Sequence, residues 1–200
     1  PQGYWSLERS DSGWANLSAF AALSDDGQVI AWGDPATGGR LDDATRTRLT
    51  RPAAPAEGAA AQPWIWTVEL ASSSRAFAAR RANGEVVAWG DPAAGGTIPA
   101  ELRTALSSGV VRVFGLAQGF AALKSDGTMI TWGPGPGATS QATTLDTSQP
   151  YQVVTSVDSL AILQGERLVG CWGGGAGASQ WRQNRQLRDA LATGVQELVC

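Results

Sequence analysis

The spacing of apolar positions repeats four times along the 200-residue chain. In each copy an apolar run begins with a large side chain, a polar turn follows, and a second apolar run ends in Trp-Gly twelve positions after that side chain. The Trp-Gly pairs recur at intervals of 57, 43 and 40 residues, and their tryptophans are Trp32, Trp89, Trp132 and Trp172. Self-similarity at such a period is typical of repeat proteins. The chain is therefore predicted to contain four similar units.

Each unit has the pattern of a β-hairpin. A turn-forming pair lies between the two apolar runs in three copies, and such pairs favour a type I′ turn with positive φ. These pairs are Asp26-Gly27, Asn83-Gly84 and Asp126-Gly127. The fourth copy has Glu166-Arg167 after Gly165, which predicts a longer or shifted turn. Adjacent apolar residues before the tryptophans, such as Val86-Val87, predict strands buried on both faces.

The segment after each hairpin completes the unit. Further glycines follow every Trp-Gly pair, with proline in the first three copies, and Asp34 and Asp91, which precede proline, are expected to shape these turns. Leucines four residues apart and a following glycine, near 102–109 and 187–194, predict brief helices. New strands are predicted at 110–114 and 195–199. The predicted fold is mainly β and propeller-like, with four repeats of antiparallel strands and short connecting helices.

The repeats are predicted to form one domain over residues 1–200. Their approximate bounds are 1–50, 64–109, 110–150 and 151–194, followed by a closing strand at 195–200. We expect this strand to pair with the first hairpin, because a closed ring leaves no bare strand edge. An open arc is the alternative.

The residues of the repeat resemble a known family. The repeat consists of an apolar strand, Asp-Gly, Val-x-x-Trp-Gly and a glycine-rich turn. This pattern is similar to the regulator-of-chromosome-condensation (RCC1-like) repeat. The similarity covers residues 19–39, 76–96 and 119–133, and more loosely 159–173. The Trp-Gly-Asp-Pro motif resembles the variant of this repeat that is found in algal and bacterial repeat arrays. The resemblance implies a β-propeller and, by analogy, regulation of a small GTPase as one alternative function.

Composition excludes several classes of site. A net charge of −3 argues against a surface built for nucleic acid. The chain has no histidine and two cysteines, which removes histidine triads, histidine metal sites and a four-cysteine zinc site. The sequence contains no run of eighteen apolar residues, so no membrane span is predicted. We therefore expect no catalytic residue, cofactor or metal, and we predict that Cys171 and Cys200 are free thiols, with a bridge between them as the alternative.

Residues outside the repeat pattern are the candidates for contact with a partner. The first interval between tryptophans carries a surplus within 45–66, rich in arginine, proline and alanine, and one arginine occupies a position that is leucine in the other copies. Tryptophan and arginine are enriched at the energetic centres of protein interfaces. The candidate partner-binding residues are Trp64, Trp66, Arg46, Arg48, Arg51 and Arg80. The alternative is that they fill the ends of the core, whereas the four repeat tryptophans are expected to be core.

These features favour a non-catalytic binding or scaffold module, an accessory subunit docked on a larger protein assembly. The chain starts with Pro1, and we expect a mature form whose targeting segment has been removed. An organelle lumen, such as a plastid lumen beside a photosynthetic membrane complex, or secretion is the expected location. A carbohydrate-binding lectin is the alternative, with sites that recur in each repeat, and an enzyme is the third hypothesis. A docking surface should instead use unique residues, and the relaxed turns of the third and fourth copies favour docking.

Overall fold

A computed structural model, which describes residues 14–50, 65–134 and 145–199, shows four antiparallel sheets in chain order. The first sheet has two strands among the described residues, and each of the others has three. The strands are β1 (Ala19–Leu23), β2 (Val29–Gly33), β3 (Thr67–Ser72), β4 (Ala76–Arg81), β5 (Val86–Gly90), β6 (Val110–Leu116), β7 (Gly119–Lys124), β8 (Met129–Trp132), β9 (Gln152–Thr155), β10 (Ser159–Gln164) and β11 (Arg167–Gly173). The helices are α1 (Asp43–Leu49), α2 (Ala176–Gln183) and α3 (Arg185–Ala190).

The predicted hairpins are present in all four repeats and share one register. The large side chain that starts each apolar run lies opposite the tryptophan that ends the next one; the pairs are Phe20 with Trp32, Phe77 with Trp89, Phe120 with Trp132 and Leu160 with Trp172. The strand predicted at 110–114 is β6. The mainly β, propeller-like fold class is therefore confirmed.

The hairpin turns of the first three repeats differ from the predicted type. Their glycines have φ between +78° and +81°, and no other residue type in the described segments has positive φ. In the first turn the amide of Ser24 donates to the carbonyl of Gln28, and that of Gly27 donates to the carbonyl of Ser24. This is a three-residue loop closed by a left-handed glycine. The type I′ prediction is wrong because only the glycine leaves the negative-φ region.

Each sheet has an aromatic face and a small-residue face. The aromatic face of the second sheet packs on the first sheet and consists of Phe77, Ala79, Val87 and Trp89. Its small-residue face packs on the third sheet and includes Ala76, Ala78 and Val86. The aromatic face of the third sheet, which meets that surface, consists of Phe120, Ala122, Ile130 and Trp132. The aromatic faces of the second, third and fourth sheets thus pack on the preceding repeat, so the stack has a direction.

In the first two repeats the turns after Trp-Gly are shaped by aspartate, as expected. Asp34 Oδ1 accepts a hydrogen bond from the amide of Ala36 at 2.9 Å, and Asp91 Oδ1 accepts one from Ala93 at the same distance. Each aspartate caps a short 3-10 turn with proline in its first position. Both carboxylates therefore hold the local backbone.

The same turns receive the tryptophan of the following repeat. Trp89 Nε1 donates to the carbonyl of Gly38 at 3.0 Å, and Trp132 Nε1 donates to the carbonyl of Gly95 at 3.0 Å. Gly38 and Gly95 have φ of +98° and +85°, and a Cβ on either would lie 2.8 Å from a phenylalanine ring of the next repeat. Only glycine fits this position without strain.

Main-chain hydrogen bonds also join successive repeats. The amide of Leu17 donates to the carbonyl of Ser74 at 2.9 Å, Ser74 donates to Ala117 at 3.0 Å, and Ala117 donates to Val157 at 2.9 Å. All four residues lie two positions before the central strand of their repeat. We call this series the inter-repeat belt.

The C-terminal end of the stack is covered by a helix. Where the first two repeats have a glycine turn, the fourth has α2, which packs on β10 and β11 and buries Ala178. Residues 195–199 form no strand, and the amide of Val195 donates to the carbonyl of Glu166 at 2.8 Å. For these described residues, the predicted pairing with the first hairpin is wrong, because the chain returns to the turn of its own last hairpin.

The N-terminal end of the stack is open among the described residues. Phe20, Ile30 and Trp32 are 62%, 58% and 50% exposed, whereas the corresponding residues of the second sheet are at most 5% exposed. With Ala22 they form a surface that we call the first-repeat face. The expectation that repeat tryptophans are core is confirmed for Trp89, Trp132 and Trp172 and is wrong for Trp32, against which none of the described residues places a preceding repeat.

Candidate partner-binding site

Trp66 is the predicted aromatic contact residue that the described part of the chain includes. It is 52% exposed and directly precedes β3, beside the turn of the first hairpin. The amide of Thr67 donates to the carbonyl of Gly27 at 3.1 Å, and the amide of Ala82 donates to the carbonyl of Trp66 at 2.9 Å. The backbone of Trp66 is therefore fixed while its indole faces outward. Trp64 and Arg51 lie outside the described residues.

Arg48 belongs to an ion network that reaches the residue beside Trp66. Its guanidinium pairs with one carboxylate oxygen of Glu85, and Arg81 Nη1 lies 2.6 Å from the other. Arg81 Nε and Nη2 also donate to the carbonyl of Ile65 at 3.0 and 2.7 Å. The network thus links α1, the second hairpin and the segment that carries Trp66. Sequence reasoning missed Glu85 and Arg81, which sit in an ordinary hairpin pattern.

The charge state of Glu85 follows from this network. Burial acts to raise the pKa of its carboxyl, but hydrogen bonds and charge from Arg48 and Arg81 outweigh burial, and the net pKa is lowered from the ordinary value of 4.5. A carboxyl with a depressed pKa stabilises the fold fully above its unfolded pKa. That stabilisation is lost as pH falls through the folded pKa.

The acid sensitivity of the fold is therefore expected to depend on Glu85. In Glu85→Gln, stability at neutral pH should fall, and the further loss below about pH 4.5 should be smaller than in the unmodified chain, because one depressed carboxyl no longer titrates. Urea midpoints from about pH 7 to about pH 3 measure the difference. Glu101→Gln is the matched control, since Glu101 has no ion pair in the described segments; an equal flattening in this variant would contradict the assignment.

Arg80 lies in a second network between the second and third repeats. Its Nε is 2.7 Å from Glu69 Oε2, while Arg112 Nε is 3.0 Å from Glu69 Oε1. Arg112 also lies 5.7 Å from the ring centre of Phe114. Burial raises the pKa of the nearby Tyr151 hydroxyl. The arginine in the leucine position thus joins β3, β4 and β6, and that unusual residue was the sequence signal for the network.

Arg46 is held more loosely than Arg48. Its Nη2 donates to the carbonyl of Leu41 at 3.2 Å, and its Nη1 lies 3.9 Å from Asp43 Oδ1, where both side chains are at least half exposed. Exposed ion pairs of this kind contribute little to stability. Arg46 therefore retains a solvent-facing charge one half-turn from Arg48 on α1.

A groove of about 550 Å³ lies between the first and second repeats, beside Arg48. Arg40 and Arg103 also line it, and within the described ranges neither has an acidic partner. The acidic residues of the lining are Glu85 and Asp42. Asp42 accepts a hydrogen bond from the amide of Thr45 at 2.7 Å, which lowers the pKa of its carboxyl. The groove therefore has uncompensated positive charge that suits an acidic side chain of a partner.

Other chemistry in the described residues is limited. Residues 14–50, 65–134 and 145–199 contain no cluster of three or more acidic or cysteine side chains that could hold a metal ion. None of the helices in these ranges is long and apolar enough to cross a membrane. Cys171 is a free thiol beside Gly177 and Ala178 of α2, and burial raises its pKa to about 11. Cys200 lies outside the described residues.

The fold and this surface define a β-repeat protein of the propeller type, with its charged networks at repeat junctions. No family model matches the chain, and no curated protein sequence matches it.

Solved structures with a similar fold include Prp20p of Saccharomyces cerevisiae, the yeast RCC1, whose binding properties to Gsp1p and histones have been described. It is 16% identical over 78% of this chain and 41% of its own, with a TM-score of 0.48. The ectodomain of the Arabidopsis thaliana receptor kinase ACR4 is 16% identical, with a TM-score of 0.46, over 80% of this chain and 48% of its own. Human WBSCR16 is 16% identical, with a TM-score of 0.46, over 80% of this chain and 46% of its own. The chain spans less than half the length of each.

Proposed function

We propose that this chain is a non-catalytic binding module that docks as an accessory or scaffold subunit on a larger protein assembly. One observation carries the proposal: Trp66 presents a half-exposed indole from a fixed backbone, next to an arginine network that reaches a positively charged groove through Glu85. A rigid aromatic anchor beside arginines is typical of the energetic centre of a protein interface. The proposed contact residues are Trp64, Trp66, Arg46, Arg48, Arg51 and Arg80, the last of which lies in the separate ion network between the second and third repeats.

The partner chemistry follows from the groove. Its arginines favour an acidic segment on the partner, and Trp66 favours an apolar pocket that accepts an indole ring. We propose an organelle lumen, such as the plastid lumen beside a photosynthetic complex, as the location, on the resemblance of the Trp-Gly-Asp-Pro repeat to algal arrays. Regulation of a small GTPase is the alternative that the family resemblance implies.

A lectin is less well supported by the turns. Lectin pockets in a repeat protein would recur with the turns, and there the carboxylates of Asp34 and Asp91 are already engaged by backbone amides. Asp91 also pairs with Arg75 at 2.9 Å. The recurring carboxylates thus stabilise the turns of the protein and are already hydrogen-bonded within it.

Site-specific photo-crosslinking is expected to identify the partner. With p-benzoylphenylalanine in place of Trp66, irradiation in an extract of the cells that make the protein should link one defined protein. The matched control places the same residue at Val157, which is 55% exposed and apolar but lies in the fourth repeat. Equal labelling from both positions, or no product from position 66, would contradict the proposed surface. The identity of the product separates an assembly subunit from a small GTPase.

The alanine variants complete this test. Truncating a central aromatic anchor costs at least about 2 kcal/mol of binding, roughly thirtyfold in affinity. Trp64→Ala combined with Trp66→Ala should therefore weaken capture of the linked protein and shift the melting temperature by a few degrees at most. Unfolding of the double variant would instead place these tryptophans in the core.

A further inference from the structure

The first-repeat face is already arranged like the buried faces of the later repeats. The ring centres of Phe20 and Trp32 are 5.4 Å apart with nearly parallel planes, and the buried Phe77–Trp89 pair has the same separation. Ile30 and Ala22 complete the surface, as Val87 and Ala79 do in the second sheet. The face is therefore a preformed packing surface that lies open to solvent among the described residues.

The molecule shows twice what covers such a face. In both examples the cover is the small-residue face of the preceding sheet, together with the glycine of its Gly-Asp-Pro-x-x-Gly-Gly turn. The turn glycine contacts the phenylalanine ring, and its carbonyl accepts from the tryptophan Nε1 at 3.0 Å. An aromatic face is thus covered by a defined sequence motif that makes defined contacts with its phenylalanine and tryptophan.

Two polar groups at the first-repeat face lack the bonds that their counterparts make. Within the described ranges, no acceptor lies within hydrogen-bond distance of Trp32 Nε1, although Trp89 and Trp132 each have one. Nor does a described amide donate to the carbonyl of Leu17, although the carbonyls of Ser74 and Ala117 each accept from the preceding repeat. The face therefore offers one donor and one acceptor where an inter-repeat contact supplies the partners.

The C-terminal end of the same chain does not supply this cover. Its small-residue face, at Ala161 and Cys171, already borders Gly177 and Ala178 of α2. In addition, α2 occupies the place of the glycine turn that would accept from a tryptophan. A second copy therefore cannot stack head-to-tail on the first-repeat face with the contacts seen inside the molecule.

We infer that the first-repeat face binds a further repeat of this type, one that ends in a Gly-Asp-Pro-x-x-Gly-Gly turn and presents a small-residue face. The turn carbonyl of that repeat accepts from Trp32 Nε1, and an amide of its belt position donates to the carbonyl of Leu17. This surface is separate from the Trp66 site, so it does not rest on the proposed function.

The test adds such a repeat to the full chain. Residues 67–109 span one period, since Thr67 and Val110 begin matching strands in matching registers. A copy of this segment is fused ahead of residue 1, and hydroxyl-radical oxidation of individual side chains is read by mass spectrometry. Oxidation of Trp32 should fall on the order of tenfold toward that of Trp89, in line with exposed fractions of 50% and 3%. Oxidation of Trp66 should not change.

The matched control carries Gly95→Val in the added copy only. A Cβ at that glycine, whose φ is +85°, would lie 2.8 Å from the phenylalanine ring. The turn therefore cannot pack on the ring of Phe20, and Trp32 should be oxidised as much as in the unfused chain. A second fusion with a longer Gly/Ser linker is measured in parallel, and unchanged oxidation of Trp32 in both fusions overturns the inference.

Two results with the unfused chain would also overturn it. If Trp32 is as protected as Trp89 at every concentration, the chain's own remaining residues cover the face. If protection of Trp32 grows with chain concentration while native mass spectrometry shows a dimer, the occupant is a second copy. Concentration-independent oxidation of Trp32 in a monomer is the result that the inference requires.

Discussion

Replacing Trp132 with alanine is expected to lower the free energy of unfolding by about 3–5 kcal/mol, the range for truncating a large buried aromatic side chain. Trp132 is 3% exposed, stacks on Phe120 with ring centres 5.4 Å apart, and donates to the carbonyl of Gly95. Its removal leaves a cavity between the second and third repeats and an unpaired carbonyl beside it. Urea unfolding followed by far-ultraviolet circular dichroism measures the loss.

Trp32→Ala is the matched control, because the same residue at the same position of the first repeat is half exposed and has no sheet packed against it within residues 14–50, 65–134 and 145–199. Its stacking on Phe20 contributes about 1 kcal/mol, and the loss should not exceed that figure by much. Comparable losses in the two variants would contradict the open first-repeat face. Trp132→Phe, which keeps an aromatic ring but lacks Nε1, should lie between them.

Gly96→Ala is expected to cost about 3 kcal/mol, at the upper end of the range for overpacking. A Cβ on Gly96 would lie 2.4 Å from the carbonyl carbon and oxygen of Gly90, and the corresponding position, Gly39, is 2.3 Å from the carbonyl carbon of Gly33. These neighbours are backbone atoms, so the turn itself must move and withdraw Gly95 from the ring of Phe120. The same urea titration measures the loss.

Gly174→Ala serves as the control for this substitution. Gly174 also follows a Trp-Gly pair, but a Cβ there meets no atom within 4 Å. Stability should be unchanged or slightly higher, because alanine reduces the freedom of the unfolded chain. An equal loss at this position would show that the double-glycine turn is not limited by the close approach of its backbone.

The hairpins could be predicted from sequence because each one is specified locally. Trp32 lies twelve positions after Phe20, with a glycine near the middle, and in the observed register the two residues pair directly with both rings on the same face. The turn type was harder, since Asp-Gly fits both a two-residue loop and the three-residue loop observed. Which of these forms depends on the pairing of the flanking strands rather than on the pair itself.

Features that depend on contacts between distant segments could not be predicted from the repeat pattern of the sequence. Arg80 was recognisable as an exception, but its partner Glu69 lies in another strand and shares its charge with Arg112 of the next repeat. Trp32 has the same local sequence as its buried counterparts, because the difference lies in what stands against it. The glycine-rich segment after Trp172 indicated a turn, yet it begins α2, whose packing on β10 and β11 outweighs weak helix propensity.

The inter-repeat belt has a consequence for how far the loops can diverge. Leucine, serine, alanine and valine occupy its four positions, and each takes part through backbone atoms that nearly every amino acid possesses, although the Ser74 hydroxyl adds a second hydrogen bond to the carbonyl of Ala117. Mutations can therefore accumulate at these positions while the separation of neighbouring sheets stays constant. Proline is the exception at the three donor positions, because it has no amide hydrogen to give.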